Sequence, residues 1–331
     1  MQEIDQVTRK RTNIVQLLQK DGPTKICAPM VRYSKLQFRT LVRKYGCDIA
    51  YTPMIVSDSF VQSEECRKVE FITNENDKPL IVQFAANNPD DFASATEMVF
   101  PYCDGVGLNC GCPQRWAMAK GYGAKLLRNP EQLVDYIRFT RSRLQDPDFS
   151  ISTKIRLHAD PHKTVEMCRR LENVGVSFIS VHGRTTKERH QPVHYDQIKL
   201  IKDAVSVPVV ANGDVKSLTD VYKVYEETGA DGIMVARGIL KNPAMFEGYD
   251  RTPMKCVQDW LNICSRHETS FTCFHNHLIY MLEKRATKED KQIFNNLRSI
   301  PAVIEYLDKY KDDEESVIDK TFSNMKSLAV S

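Results

Sequence analysis

The chain has 331 residues, of which 42% are hydrophobic and 27% charged, and its net charge is only +3. That leaves room for one large and one small domain of ordinary water-soluble composition, and gives too little positive charge for nucleic-acid binding to be read from the total. No apolar run reaches the roughly 18 residues of a membrane span, and Met1–Lys20 has no apolar signal core, so ten scattered cysteines read as reduced thiols of an intracellular protein, cytoplasmic or nuclear.

After an N-terminal extension, residues 1–24, short β-branched runs alternate with segments of helical period. Strands are expected at Lys25–Val31, Asp48–Met54, Pro79–Ala85, Asp104–Asn109, Ile151–Leu157, Ser177–His182, Val207–Asn212 and Gly232–Ala236. Helices are expected between them at Lys35–Tyr45, Asp90–Phe100, Glu131–Leu144, Lys163–Val174, Tyr195–Ala204 and Leu218–Thr228. Runs such as Val207–Ala211 and Ile233–Ala236 are apolar on both faces, as a helix-covered parallel sheet requires. Eight β/α alternations in about 240 residues fit a (β/α)8 TIM barrel over residues 25–248, with an open doubly wound sheet as the competing layout. Beyond Pro243 the alternation stops. Met254–Ser265, Phe271–Lys284, Lys288–Leu297 and Ala302–Tyr310 read as a small all-helical C-terminal domain, residues 249–331, ending in the polar tail Lys311–Ser331 with its acidic run from Asp312 to Glu315.

In such a barrel, function sits where strands end. Those ends carry Ala28-Pro29-Met30-Val31, Gln83, Asn109-Cys110-Gly111-Cys112-Pro113, Lys154 with Arg156, His182-Gly183-Arg184, Asn212-Gly213-Asp214 and Ala236-Arg237-Gly238. Glycines after the last two strands let backbone N–H groups approach a phosphate, and Arg237 can pair with it, helped by a short helix at Ile239–Met245; a bland reading makes both glycines simple turns. A strand lysine is commonly a snorkelling side chain, and a strand-end histidine a satisfied structural one, so Lys154 and His182 gain meaning only if they face the barrel mouth. Cys110 and Cys112 lack a second Cys/His pair at zinc spacing, and His275 and His277 stand i,i+2 on a helix, so no metal is expected. Cys27 and Cys168 read as buried hydrophobes and Cys112 as an exposed loop thiol. Between Gly105 and Pro130 there is no acid, while Arg115, Lys120, Lys125 and Arg128 are present.

Taken in order, Ala28-Pro29-Met30, Gln83, Asn109 to Pro113, Lys154-x-Arg156, His182 to Thr185, Asn212 to Asp214 and Ala236-Arg237-Gly238 resemble the tRNA-dihydrouridine synthase family across residues 25 to 245. The loop from Cys110 to Ala119 is similar to the eukaryotic subgroup acting at D-loop positions 20a and 20b. The resemblance implies FMN across the barrel mouth. Pro29, Met30 and Val31 would line its ring, Gln83 would bond the ring edge, Lys154 would face the reduced ring's charge with His182 nearby, and Asn212, Gly213, Asp214, Ala236 and Arg237 would hold the phosphate. It further implies uracil bound by Asn109 and Arg156, hydride delivered to C6, a proton from Cys112 to C5, and a helical domain that clamps tRNA. His190 stands where many relatives carry a tyrosine that contacts the base.

The chemistry agrees. A general acid must hold its proton at working pH, and an ordinary thiol with pKa about 8.5 mostly does. A base in a stacked loop must leave its stack to reach a flavin, so basic loops at the mouth are expected, here Arg115 and Lys120 after one strand and Arg184, Lys187, Arg189 and His190 after another. No G-x-G-x-x-G follows a strand, so NADPH or NADH is expected to reduce the flavin without a second nucleotide fold. A monomer that binds tRNA and no membrane is expected. The alternatives are an FMN reductase of a small dihydropyrimidine-type substrate, a non-catalytic tRNA binder, and a barrel without ligand.

Overall fold

The computed structural model describes residues 10–144 and 146–310; the first nine residues of the N-terminal extension and the tail Lys311–Ser331 lie outside them. Among the described residues nine strands follow one another as β1 Thr24–Cys27, β2 Ile49–Tyr51, β3 Ile55–Val56, β4 Leu80–Ala85, β5 Gly105–Asn109, β6 Ser150–Leu157, β7 Phe178–Thr185, β8 Val209–Asn212 and β9 Gly232–Val235. All pair in parallel, β9 with β1, and β2 with both β1 and β4, so the sheet closes into a ring of eight with β3 as a short annex on β4. The open-sheet alternative is thereby excluded.

Residue parity explains why the ring closes. Ile26, Ile49, Ile81, Phe178, Val210 and Met234 belong to one apolar cluster inside the barrel, while Cys27, Ala50, Val82, Ile179, Ala211 and Ile233 belong to another beneath the surrounding helices. Alternate residues of one strand thus feed two cores, and both faces must be apolar. Three of the outer helices have their starts fixed by sequence: Asn88-Pro89, Asn129-Pro130 and Asp160-Pro161 each set a side-chain cap before a proline at the first helical position.

Three features depart from the sequence expectation. The run Asp48–Met54 is broken after Tyr51, because Pro53 cannot donate to a ladder; the Thr52 hydroxyl instead accepts the Gln83 backbone N–H at 3.0 Å. The run Lys25–Val31 stops at Cys27, since the chain turns at Met30–Ser34 with Arg32 at φ 70°. Helices Ser57–Gln62 and Glu64–Glu70 fill a stretch whose polarity had masked them. Within the extension, helix Ile14–Leu18 buries Ile14 and Leu18 against the interior cluster, so this segment plugs the barrel floor.

Helices Met254–Arg266, Phe271–Met281, Lys288–Asn295 and Ile300–Leu307 follow the barrel. Their buried residues, Trp260 and Phe274 among them, continue the barrel's outer core rather than forming a separate one. His277 sits between Trp260 and Phe38, with its ring nitrogens against the carbonyls of Cys273 and Tyr33. Among the described residues no helix is long and apolar enough to cross a membrane, and no group of three or more His, Cys, Asp or Glu could hold a metal.

Candidate active site

The same parity that sends Ile81, Phe178 and Val210 inward at the floor sends Gln83, Lys154, Arg156, His182, Arg184 and Asn212 inward at the C-terminal mouth. The register aligns Arg156 with His182 and His182 with Asn212.

Asn109 fixes the cysteine loop. Its Oδ1 accepts the backbone N–H groups of Gly111 (3.2 Å) and Cys112 (3.0 Å), and its Nδ2 donates to Gln83 Oε1 at 2.9 Å. Gln83 is fully buried, and its Nε2 is a donor without a protein partner. A buried unpaired N–H costs free energy, about 1–3 kcal/mol, unless a ligand accepts it. Cys112 is partly buried rather than exposed: it packs against Ala85, Ala117 and Tyr122. Its carbonyl accepts the Ala124 N–H at 3.0 Å, which closes the loop on itself. Cys27 and Cys168 are fully buried.

Lys154 donates to Asn212 Oδ1 at 2.9 Å, and burial, aided by the neighbouring Arg156 charge, pushes its pKa down to about 7. The Cys112 sulfur lies within electrostatic reach of both Lys154 and Arg156. His182 is pushed down to about 2, first by burial and then by the charges of Lys154, Arg156, Arg184 and Arg237, so it is neutral. The Arg184 guanidinium, which can only donate, points at His182 Nε2 across 3.4 Å, leaving the proton on Nδ1.

Arg184 is buried, not a rim charge. It bonds the Gln191 carbonyl at 2.6 Å and pairs with Asp214, which also holds Arg237 at 3.1 Å. Burial alone would raise the Asp214 pKa, but the two arginines hold it below the carboxylate range. Arg156 uses Nε on the Gly111 carbonyl and Nη1 on the carbonyls of Thr185 and Glu188, tying the loop after β5 to the loop after β7 and leaving Nη2 for a ligand. Glu188 staples that second loop from within, accepting from Thr185 N–H and facing His194, which lowers its pKa to about 2. Sequence reasoning missed Glu188, although Thr185-x-x-Glu188 has the reciprocal-cap spacing that would have found it.

A cavity of about 560 Å³ opens beside these groups, lined by His182, His190, Gly213, Arg237, Lys216 and Lys284 among others. Its size is that of a small-molecule site. Two glycines there are structural necessities. A Cβ at Gly238 would lie 2.4 Å from the Val215 carbonyl, and Gly213 has φ +143° with a Cβ position 2.7 Å from Val193. Both bring backbone to the cavity wall with Arg237 beside it, on the first turn of helix Arg237–Lys241. Lys216, Lys241 and Lys284 were not singled out from the sequence. Lys284 comes from the helical region and reaches this wall only because that region packs onto the barrel. Met30 is partly buried, Val31 and His190 are exposed, and Arg115 and Lys120 stand on the outer rim. A phosphate-bearing flavin fits this donor set: an orphaned buried amide at Gln83, a mostly buried lysine, and a cation-lined wall with close backbone.

The family model described as "Dihydrouridine synthase (Dus)" matches residues 26–328. A mouse protein named "tRNA-dihydrouridine(20a/20b) synthase [NAD(P)+]-like" is 53% identical over 92% of this chain and 94% of its own length. The fission yeast "tRNA-dihydrouridine(20a/20b) synthase [NAD(P)+]" (Schizosaccharomyces pombe) is 42% identical over 87% and 88%. Among solved structures, the old yellow enzyme from Trypanosoma cruzi superposes with a TM-score of 0.52 over 72% of this chain and 88% of its own, at 9% identity, a likeness of fold.

Proposed function

The chain belongs to the dihydrouridine synthase family, and on that premise we propose that it reduces uridine to 5,6-dihydrouridine in the tRNA D-loop, at positions 20a and 20b. It is an FMN-dependent oxidoreductase that draws its electrons from NADPH or NADH. The observation that carries this reading is one barrel mouth where a partly accessible thiol, Cys112, lies within electrostatic reach of Lys154 and Arg156.

When bound and reduced, FMN would supply the hydride that uracil C6 takes up. Every other part falls to side chains. Gln83 Nε2, which has no protein partner, would donate to the flavin's polar edge, and Pro29, Met30 and Val31 would flank its ring. Lys154, titrating near 7 without ligand, carries a positive charge wherever negative charge develops beside it, because an anion raises a lysine pKa. Neutral His182 stands near it, with its Nε2 facing Arg184. Asn212, Gly213, Asp214, Ala236 and Arg237 would hold the FMN phosphate, with Asp214 keeping Arg237 in place. Cys112 gives its proton to C5 as the hydride arrives at C6, and Asn109, by holding the Cys112 N–H, fixes the donor's position. Arg156 keeps the Cys112 loop against the β7 loop and offers Nη2 to a uracil carbonyl, with His190 on the same side. Arg184 acts through Asp214 and His182. Arg115 and Lys120 meet tRNA phosphates. The enzyme works inside the cell, in cytoplasm or nucleus, as a monomer.

The test is to incubate flavin-loaded enzyme and NADPH with unmodified tRNA and map dihydrouridine along the product. Reduction at 20a and 20b is expected. Turnover of free uracil or orotate with none on tRNA would instead establish a small-molecule reductase.

A further inference from the structure

Four residues beyond Cys112 stands a tryptophan with no part in the scheme above. Trp116 is 46% exposed, although removing so large an aromatic surface from water is among the strongest driving forces available to a fold. Its neighbours explain how it is held but not what it faces. The indole Nε1 donates to Gln114 Oε1 at 2.6 Å, and the ring meets Tyr122 edge-on with centroids 6.5 Å apart. Tyr122 is buried and anchored through its hydroxyl to Asp58 at 2.8 Å. Ala117 and Tyr122 pack in the same cluster as Cys112. The loop is closed at its base, where Ala124 N–H meets the Cys112 carbonyl; a Cβ at Gly123 would lie 2.7 Å from that oxygen. From the far side, Asn87 Nδ2 donates to the Lys120 carbonyl at 3.0 Å. Trp116 is therefore fixed by a rigid support shared with Cys112, its one polar group satisfied, and its ring left to solvent.

We propose that Trp116 is a stacking platform for a nucleobase next to the reacting uridine. A uridine that leaves its stack to enter the barrel exposes the faces of its neighbours to water. An aromatic ring beside the entrance replaces the missing stack, and every base has a π face that suits it. The occupant is RNA rather than a protein because the surrounding loop has no acid from Gly105 to Pro130 and exposes Arg115 and Lys120, one before and one after Trp116 in the chain. The occupied N–H makes the contact one of stacking rather than hydrogen-bond readout. Trp116 thus determines how firmly the D-loop is held open, not which base is chosen.

This rests on tRNA being the substrate, and the experiment separates the two. The chain has two tryptophans. Trp260 is fully buried, with its Nε1 on the Phe274 carbonyl, so a change in solvent-accessible indole emission reports Trp116. Titrating oxidised holoenzyme with unmodified tRNA should quench that emission and protect it from acrylamide. Trp116→Phe should abolish the signal yet keep turnover near the parent's, because a phenyl ring still stacks. Trp116→Ala should raise the tRNA KM roughly tenfold or more, with kcat, melting temperature and flavin reduction by NADPH near parental. Saturating tRNA that leaves Trp116 emission and acrylamide access unchanged would overturn the proposal, even if the alanine variant folds poorly. So would a parental KM in Trp116→Ala. Absence of dihydrouridine with the parent enzyme would instead overturn the substrate reading, while the fluorescence titration still decides whether RNA stacks on Trp116.

Discussion

The two ends of the barrel interior are built from the same strands at the same inward parity, yet they share almost no chemistry. At the floor, Ile26, Ile49, Ile81, Phe178, Val210 and Met234 close on the helix residues Ile14 and Leu18, all fully or almost fully buried. One to three inward steps later the side chains are Gln83, His182, Arg184 and Asn212, tied by hydrogen bonds and charge. The floor gains from burial and needs no partners. The mouth buries polar groups, which is costly unless they pair, and leaves the Gln83 amide unpaired. Stability is thus concentrated at one end and chemistry at the other, and substitutions at the two ends should separate cleanly.

The largest effect belongs to the mouth. Cys112→Ala should fold, retain FMN and accept electrons from NADPH normally, while oxidation of the reduced enzyme by tRNA slows about 10²–10⁴-fold, the usual cost of losing a general acid. Rapid mixing of pre-reduced enzyme with tRNA measures it, and near-parental reoxidation with dihydrouridine formed would remove Cys112 from its role. The matching change at the floor is Leu18→Ala. Leu18 is 1% exposed, and such truncations cost about 2–5 kcal/mol. Urea unfolding should show that loss, while kcat/KM per flavin-loaded molecule stays within about twofold. A large fall in turnover without a stability loss would mean the two ends are not independent.

The ends also differ in how they respond to pH. The Lys154 pKa is lowered to about 7 in the folded protein and returns to about 10.4 on unfolding. Between those values the unfolded chain binds more protons than the folded one, so this residue makes stability rise with pH across that window. Flavin-free protein should therefore gain stability from pH 7 to 9.5 relative to Lys154→Met, by at most one proton's linkage, ~1.4 kcal/mol per pH unit. Parallel pH profiles for the two proteins would show that Lys154 is not desolvated.

Much of this was legible in the sequence for one physical reason: a parallel barrel demands apolar strands and puts reactive groups at their ends, so Lys154, His182 and Asn212 could be placed at strand ends, while their facing one ligand was what the family resemblance implied. What parity could not supply was partnership. Arg184, expected to face substrate, is buried on Asp214 because the loop after its strand folds back over it, with His194 N–H on the Gly183 carbonyl and the Gln191 carbonyl accepting from Arg184. Cys112 is half-covered because Ala117 and Tyr122 fold back over it. The break at Pro53 was visible as a proline, but that the Thr52 hydroxyl would then hold the Gln83 strand was not. Lys284 was beyond reach, since its place depends on how helix Phe271–Met281 and the turn after it rest on the barrel.

Arg237→Ala tests the phosphate wall. Asp214 keeps Arg184, so no carboxylate is stranded, and the loss should be confined to FMN. A charge-assisted bond is worth about 1.5–3 kcal/mol, tenfold or more in FMN dissociation, measured by flavin release on dilution. Equal flavin content under dilution would move the phosphate elsewhere in the cavity.

The smallest effect is expected farthest from the chemistry, on the exposed rim. Arg115 and Lys120 flank a loop whose interior is rigid, so reversing both charges to glutamate should leave the cysteine loop and the flavin undisturbed. What changes is the attraction for phosphates. A side chain that no longer pairs with a phosphate no longer releases the counterion bound there. The slope of log affinity against log salt should therefore become shallower by roughly one unit or less per ion pair removed. The tRNA KM should rise most at low ionic strength and converge on the parent value at high salt, where screening has already removed the attraction. Flavin reduction by NADPH should not change at any salt concentration. If tRNA affinity follows the same salt slope in both proteins, the rim charges are simply solvated, and the acid-free stretch from Gly105 to Pro130 serves only to keep carboxylates away from the cysteine.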